Sequence, residues 1–203
     1  PDGRAIVDVA DRAAWRAWLR EHHAGPDGAW VLMRTRASGD DGRLRYAEAV
    51  EEALCFGWID SRANQVDDVS YLQWFAPRRR GSNWSRLNKQ RVERLAAAGL
   101  MAPAGVAAVD AARADGTWTA LDAVEDLAEP GDLRAALDAS SAARTAWDGF
   151  PRSARRAILE WIEAAKRPET RARRVAETAA LAAEGVRANQ WPRRARHSRA
   201  SKP

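Results

Sequence analysis

Only one cysteine, Cys55, occurs in 203 residues. That excludes an internal disulfide and a zinc site built from cysteine pairs. No apolar run approaches the roughly 18 residues that span a bilayer, and nothing at the start of the chain reads as a signal peptide. Neither G-x-G-x-x-G nor a P-loop is present, and the three histidines show no metal-ligand spacing. Phenylalanine and tyrosine are scarce, at three and two residues. These absences point to a soluble protein of a reducing cytoplasm, with no cofactor, no metal and no membrane span.

Tryptophan takes the place of the missing aromatics, with ten residues in the chain. Trp15, Trp18, Trp118, Trp147 and Trp161 fall in helical patterns and read as core. Trp58, Trp74 and Trp84 fall among polar residues, where an indole suits a pocket wall as well as a core. A hydrophobic fraction of 46% is enough to bury a substantial interior.

The charge is unevenly spread. Residues 187–203 carry six Lys or Arg and no acid, and removing those six from the formal net charge of +5 leaves −1 on the remainder. The body is near neutral. The tail is expected to be a disordered, solubilising end capable of weak nonspecific contact with nucleic acid. A second local excess lies at 78–94, with seven bases and one acid.

The hydrophobic pattern predicts an α+β fold. Residues 11–23 read as a helix with Trp15, Trp18 and Leu19 on one stripe. His22 and His23 sit in its last turn, where a helix-end role is the expectation. Residues 29–36 read as a strand followed by the loop 37–43. Residues 45–56 form a helix stopped by Gly57 in a left-handed C′ conformation. "WIDSR" and "SYLQWFAPR" read as strands. From Ser82 the pattern is helical throughout. The expected organisation is a 1–100 α+β unit with a small, mostly antiparallel sheet. A helical unit packed on it follows over 101–186, and then the tail at 187–203.

Candidate chemistry gathers at two places. After Gly57 come Trp58, Asp60, Ser61 and Arg62, an aromatic, an acid, a hydroxyl and a base. Strand alternation puts Trp58, Asp60 and Arg62 on one side. The stretch "PRRRGSNWSRLNKQR" then brings Arg78, Arg79 and Arg80 up to Ser82 or Asn83 as helix N-cap, an arrangement suited to a phosphate or carboxylate. Trp84, Leu87, Asn88, Arg91 and Leu95 share a face of that helix. One reading is structural, with Asp60 pairing with a strand neighbour or with Arg91; the sharper expectation is that Trp58, Asp60, Arg62, Arg78, Trp84 and Asn88 converge on one polar pocket walled by tryptophan. Cys55 lies between Glu48 and Glu51 on the helical wheel, which disfavours the thiolate, so it reads as a packing residue.

At these same residues the chain resembles a known bacterial family. "YAEAVEEALCFGWIDS", "YLQWFAPRRRGSNWSRLNKQRVERL", "GLMAPAGVAAVDAARADGTW" and "SARRAILEWIEAAKRPETRARRVAETAALAAEG" are similar to the YdeI/OmpD-associated proteins, from about Ala14 to Gly185. The matching motif positions are Cys55 to Ser61, Pro77, Arg78, Trp84, Ser85 and Asn88. The resemblance implies a link with bacteriocin protection and stress resistance, and brings no reaction or catalytic set.

Three functions compete. The first is binding of a small anionic or polar aromatic molecule, with Arg78 and Ser82 holding the anion and Trp58 and Trp84 sandwiching the apolar part. The second is a cofactor-independent enzyme (cyclisation, hydrolysis or isomerisation) with Asp60 as general acid or base and Ser61 or Ser85 orienting substrate. The third is a nucleic-acid or protein interaction module acting through 78–94 and the tail. They rank in that order.

Overall fold

The computed structural model describes residues 3–35 and 43–189. The expected loop at 37–43 and the basic tail lie almost wholly outside the described residues. Compactness divides the chain into Pro1–Leu121 and Asp122–Pro203.

In the first unit, the short strand β1 (Ile6–Val7) precedes helix α1 (Arg12–His22). Asp11 caps α1 by accepting the Ala14 N–H at 2.8 Å. Trp15 and Leu19 are fully buried, and Trp18 stacks on Trp15 with ring centroids 5.2 Å apart. At the other end, His22 and His23 turn Nδ1 back to the carbonyls of Trp18 and Leu19, donating at 2.8 and 2.9 Å. Both histidines therefore close the helix.

Strand β2 (Ala29–Arg34) leads to helix α2 (Tyr46–Cys55), then β3 (Trp58–Gln65) and β4 (Ser70–Pro77). Gly57 has φ +76°, the left-handed turn that releases the chain from α2 into β3. The sheet order is β1-β2-β4-β3, with β1 parallel to β2 and the other pairs antiparallel. The α+β class and the mostly antiparallel sheet are as the pattern predicts.

The sheet separates two apolar clusters. Val31, Met33 and Phe75 join Trp15, Leu19, Leu54, Trp58 and Trp84 in the main core. Trp30, Leu72 and Trp74 form a smaller cluster with Leu32 and Ala76. Period-two alternation along β2 and β4 accounts for this division.

Helices α3 (Arg86–Ala97) and α4 (Pro103–Ala114) complete the unit. α4, read from the pattern as the start of the helical half, packs in the first unit instead. A Cβ at its Gly105 would lie 2.2 Å from the Cys55 carbonyl oxygen, so the two backbones meet where only glycine fits. Cys55 itself is wholly buried, as its packing role requires. Burial pushes its thiol pKa up, with the Glu52 charge adding and Arg16 opposing. Glu52, 3% exposed, receives Arg12 Nε at 2.6 Å and Arg16 Nη1 at 2.5 Å, which pins α1 to α2.

The second unit is helical: α5 (Asp122–Glu125), α6 (Gly131–Asp138), α7 (Ser141–Gly149), α8 (Arg152–Glu163) and α9 (Pro168–Ala183). Its core holds Leu133, Leu137, Trp147, Ile158, Ile162 and Val175. Glu129 ties the α6–α7 region together. It accepts the Trp147 indole N–H at 2.7 Å and pairs with Arg144 at 3.0 Å.

Candidate functional site

The loop between β4 and α3 carries the site. Arg78, directly after β4, anchors its backbone by donating to the Gly57 carbonyl at 2.9 Å. Its guanidinium carbon lies over Trp84, 3.6 Å from the ring centroid, and Trp84 is only 1% exposed. Nη1 donates to Ser82 Oγ at 3.3 Å and to the Asn83 carbonyl at 3.1 Å. Nε is buried and has no hydrogen-bond partner. Burial lowers the Arg78 pKa to about 10, against the opposing pull of the Asp60 charge. A cation in this setting carries an unmet electrostatic demand.

A cavity of about 290 Å³ opens at this point. One side is the loop, with Arg78, Arg79, Arg80, Gly81 and Ser82, and Trp84 contributes beneath them. The other is the end of α4, with Ala108, Ala111 and Ala112, followed by Asp115 and Thr117. The alanines at i, i+3 and i+4 share one helix face, and their small side chains leave the room. Asp115 Oδ1 accepts the Thr117 hydroxyl at 2.6 Å and its N–H at 3.1 Å. Those bonds, with help from the Gly81 backbone and the Arg80 charge, hold the Asp115 carboxyl below its ordinary pKa.

The expected convergence is realised only in part. Arg78, Ser82 and Trp84 meet at the cavity. Trp58 does not: it is 1% exposed in the core, with its indole N–H on the His23 carbonyl at 3.1 Å. It packs edge-on against Trp18. Arg62 does not either, and the reason is a β-bulge. Asp60 pairs with Phe75 and Ala63 with Gln73, so Ser61 and Arg62 together oppose Trp74. The extra residue sends Arg62 to the Trp30–Trp74 cluster, 5.0 and 5.6 Å from those rings. Ser61 is exposed on the bulge.

Helix α3 also begins later than the sequence suggests. Ser85, rather than Ser82 or Asn83, is the N-cap and accepts the Asn88 N–H at 3.3 Å. Loop residues 82–84 are held instead by the Arg78 side chain and the buried Trp84. Asn88 accepts from Arg91 Nη1 at 2.9 Å. Leu87 is 54% exposed, and Val92 takes its expected place beside Leu95 in the core. Neither Ser85 nor Asn88 lines the cavity.

Asp60 occupies a different position from the one expected. It accepts the Tyr46 hydroxyl at 2.7 Å. Its charge also reaches Tyr71 and Arg78. Both tyrosines of the chain thus flank one carboxylate. Burial pushes the Tyr46 and Tyr71 phenols up, and Asp60 adds to both shifts. Sequence reasoning missed Tyr46, because the pairing joins the start of α2 to the edge strand β3. It missed Asp115 and Thr117 too. The one local signal was the turn "DGT", where Gly116 has φ +80°.

A small α+β unit with a basic loop at its sheet end, followed by a five-helix unit among the described residues, defines the class of protein. Residues 7–108 match the family model described as a domain of unknown function (DUF8412), and residues 126–185 match the one described as bacteriocin-protection, YdeI or OmpD-associated. The chain belongs to the DUF8412 family, whose model covers half of it, and its helical unit is similar to the YdeI/OmpD-associated family over residues 126–185. No curated protein and no solved structure matches it. Among the described residues, no helix is long and apolar enough to cross a membrane.

Proposed function

We propose that the protein binds a small anionic molecule in the Arg78 cavity, in the cytoplasm, in support of a stress or self-protection role. The observation that carries this reading is the Arg78 guanidinium. It is stacked on Trp84, partly desolvated, unpartnered at Nε, and set against an open cavity. An unsatisfied buried donor costs about 1–3 kcal/mol, and the charge of an oxyanion bound beside the guanidinium offsets that cost. The description of the family matched by residues 126–185, bacteriocin-protection, supports the protective role.

Trp84 serves this site mainly as the platform for Arg78, so ligand affinity is expected to come from charge and hydrogen bonding more than from aromatic stacking. The enzyme reading has less support, since Asp60 is engaged by Tyr46 and does not line the cavity.

A thermal-shift screen of wild type and Arg78→Met against carboxylates and phosphates tests the reading. A ligand at about one hundred times its Kd adds about 2.7 kcal/mol, a shift of several degrees. The shift is expected in wild type and lost in the variant. Equal shifts in both proteins, or none in either, would refute it.

A further inference from the structure

We propose that the anion held by Arg78 is the dianionic phosphate of a small organic monoester. This rests on the binding reading above and narrows its ligand.

The geometry of Arg78 comes first. Its Nη1 is already committed to Ser82 and Asn83. No hydrogen bond reaches Nε or Nη2 among the described residues. Trp84 fixes the plane of the group from one face. Nη2 is the terminal nitrogen that no protein acceptor claims, and a guanidinium N–H of this kind donates a charge-assisted hydrogen bond to a carboxylate or phosphate oxygen.

Ser82 adds a third donor. Its Oγ accepts from Arg78, which leaves its own proton free for a ligand oxygen. A carboxylate presents two oxygens to this set, and a phosphate monoester presents three.

Charge points the same way. Three arginines and one carboxylate line the cavity, so the lining carries two net positive charges, with Asp60 acting on Arg78 only from outside it. Neither Arg78 nor Arg79 has an ion-pair partner among the described residues. A dianion balances the site, whereas a monocarboxylate balances half of it. The cavity is larger than a phosphate group, and its Ala108, Ala111 and Ala112 wall offers an apolar seat for the organic part.

Calorimetric titration of the full chain at fixed ionic strength, with phenyl phosphate, inorganic phosphate and benzoate as probes, tests the proposal. Phenyl phosphate is expected to bind at least tenfold more tightly than benzoate and more tightly than inorganic phosphate. Its affinity is expected to fall between pH 7 and pH 5, as the proton with pKa of about 6 returns to the phosphate. Ser82→Ala should weaken phenyl phosphate several-fold and leave benzoate unchanged. Arg78→Lys, which keeps the charge but loses the planar edge, should weaken both by tenfold or more. Benzoate binding as tightly as phenyl phosphate, or a flat pH profile, overturns the phosphate assignment and leaves the anion pocket standing. Inorganic phosphate matching phenyl phosphate overturns the ester. If none of the three binds, or if Arg78→Lys changes nothing while near-UV circular dichroism matches wild type, the pocket itself falls as well.

Discussion

The Arg78 guanidinium lies 3.6 Å from the centre of the Trp84 ring, and its Nε points to no acceptor. The indole holds the cation in place without neutralising it. A carboxylate in the same position would pair with the arginine and close the site. Stacking worth about 0.5–2 kcal/mol keeps the group oriented while leaving Nη2 unclaimed by any protein acceptor. The apo protein therefore keeps a desolvated cation that a ligand relieves.

Arg62 provides the internal control for that argument. It too lies over tryptophan rings, Trp30 and Trp74, but on the other side of the bulge. Arg62→Ala is expected to leave anion binding within twofold of wild type and to lower stability by about 0.5–1 kcal/mol. Urea melts and the same titrations measure both. Loss of binding in this variant would mean that the bulge does not separate the two arginines.

The two tyrosines make the Asp60 cluster visible in solution. Their phenols are raised above the ordinary value of about 10, by burial first and by Asp60 second. Unfolded phenols ionise near pH 10 while the native ones stay protonated. The native state then holds more protons than the unfolded one, and stability falls as pH rises above 10. Alkaline titration followed at the tyrosinate absorbance should show little ionisation near pH 10 in the folded protein. Asp60→Asn removes the nearby charge, so its tyrosine transition should begin at lower pH. An unchanged transition would break the Tyr46–Asp60 assignment.

Glu52 is a matter of stability alone. It is buried between Arg12 and Arg16, at 2.6 and 2.5 Å. Glu52→Gln leaves Arg16 without a carboxylate partner and Arg12 with Glu51 alone, at 3.1 Å. The expected loss is about 2–3 kcal/mol, below the about 3–5 kcal/mol of a fully buried pair because the arginines are partly exposed. Denaturant unfolding reads it, and anion affinity should stay at the wild-type level.

Gly105→Ala tests the close approach of α4 to the end of α2. The added methyl would sit 2.2 Å from the Cys55 oxygen, so a backbone must move. A loss of about 1–3 kcal/mol is expected. Gly131→Ala, where nothing lies within 4 Å of the new methyl, should change stability by under about 0.5 kcal/mol. Because α4 carries one wall of the cavity, Gly105→Ala should also weaken anion binding.

Local pattern made most of the elements legible. Apolar spacing revealed α1, Gly57 marked the end of α2, and short apolar runs marked β2 and β4. β1 was not legible, because two residues carry no period. The site was harder to read for a different reason. Arg78, Ser82 and Trp84 lie within one loop and could be found from sequence. The bulge that turns Arg62 away is a property of strand pairing. The α4 wall with Asp115 and Thr117 is brought to Arg78 by the Gly105 contact, which no nearby residue announces. The N-cap at Ser85 was decided by the burial of Trp84, a tertiary effect that outweighed the equally good caps at Ser82 and Asn83.

The central claim is that the Arg78 guanidinium receives an oxyanion. Nitrogen-15 NMR of the arginine Nε–H groups tests it most directly, with the Arg78 signal assigned from its loss in Arg78→Lys. On titration with phenyl phosphate, that resonance is predicted to move in a saturable way, with smaller changes at Arg79 and Arg80 and none at Arg62. A stationary Arg78 signal while other arginines shift would contradict the account.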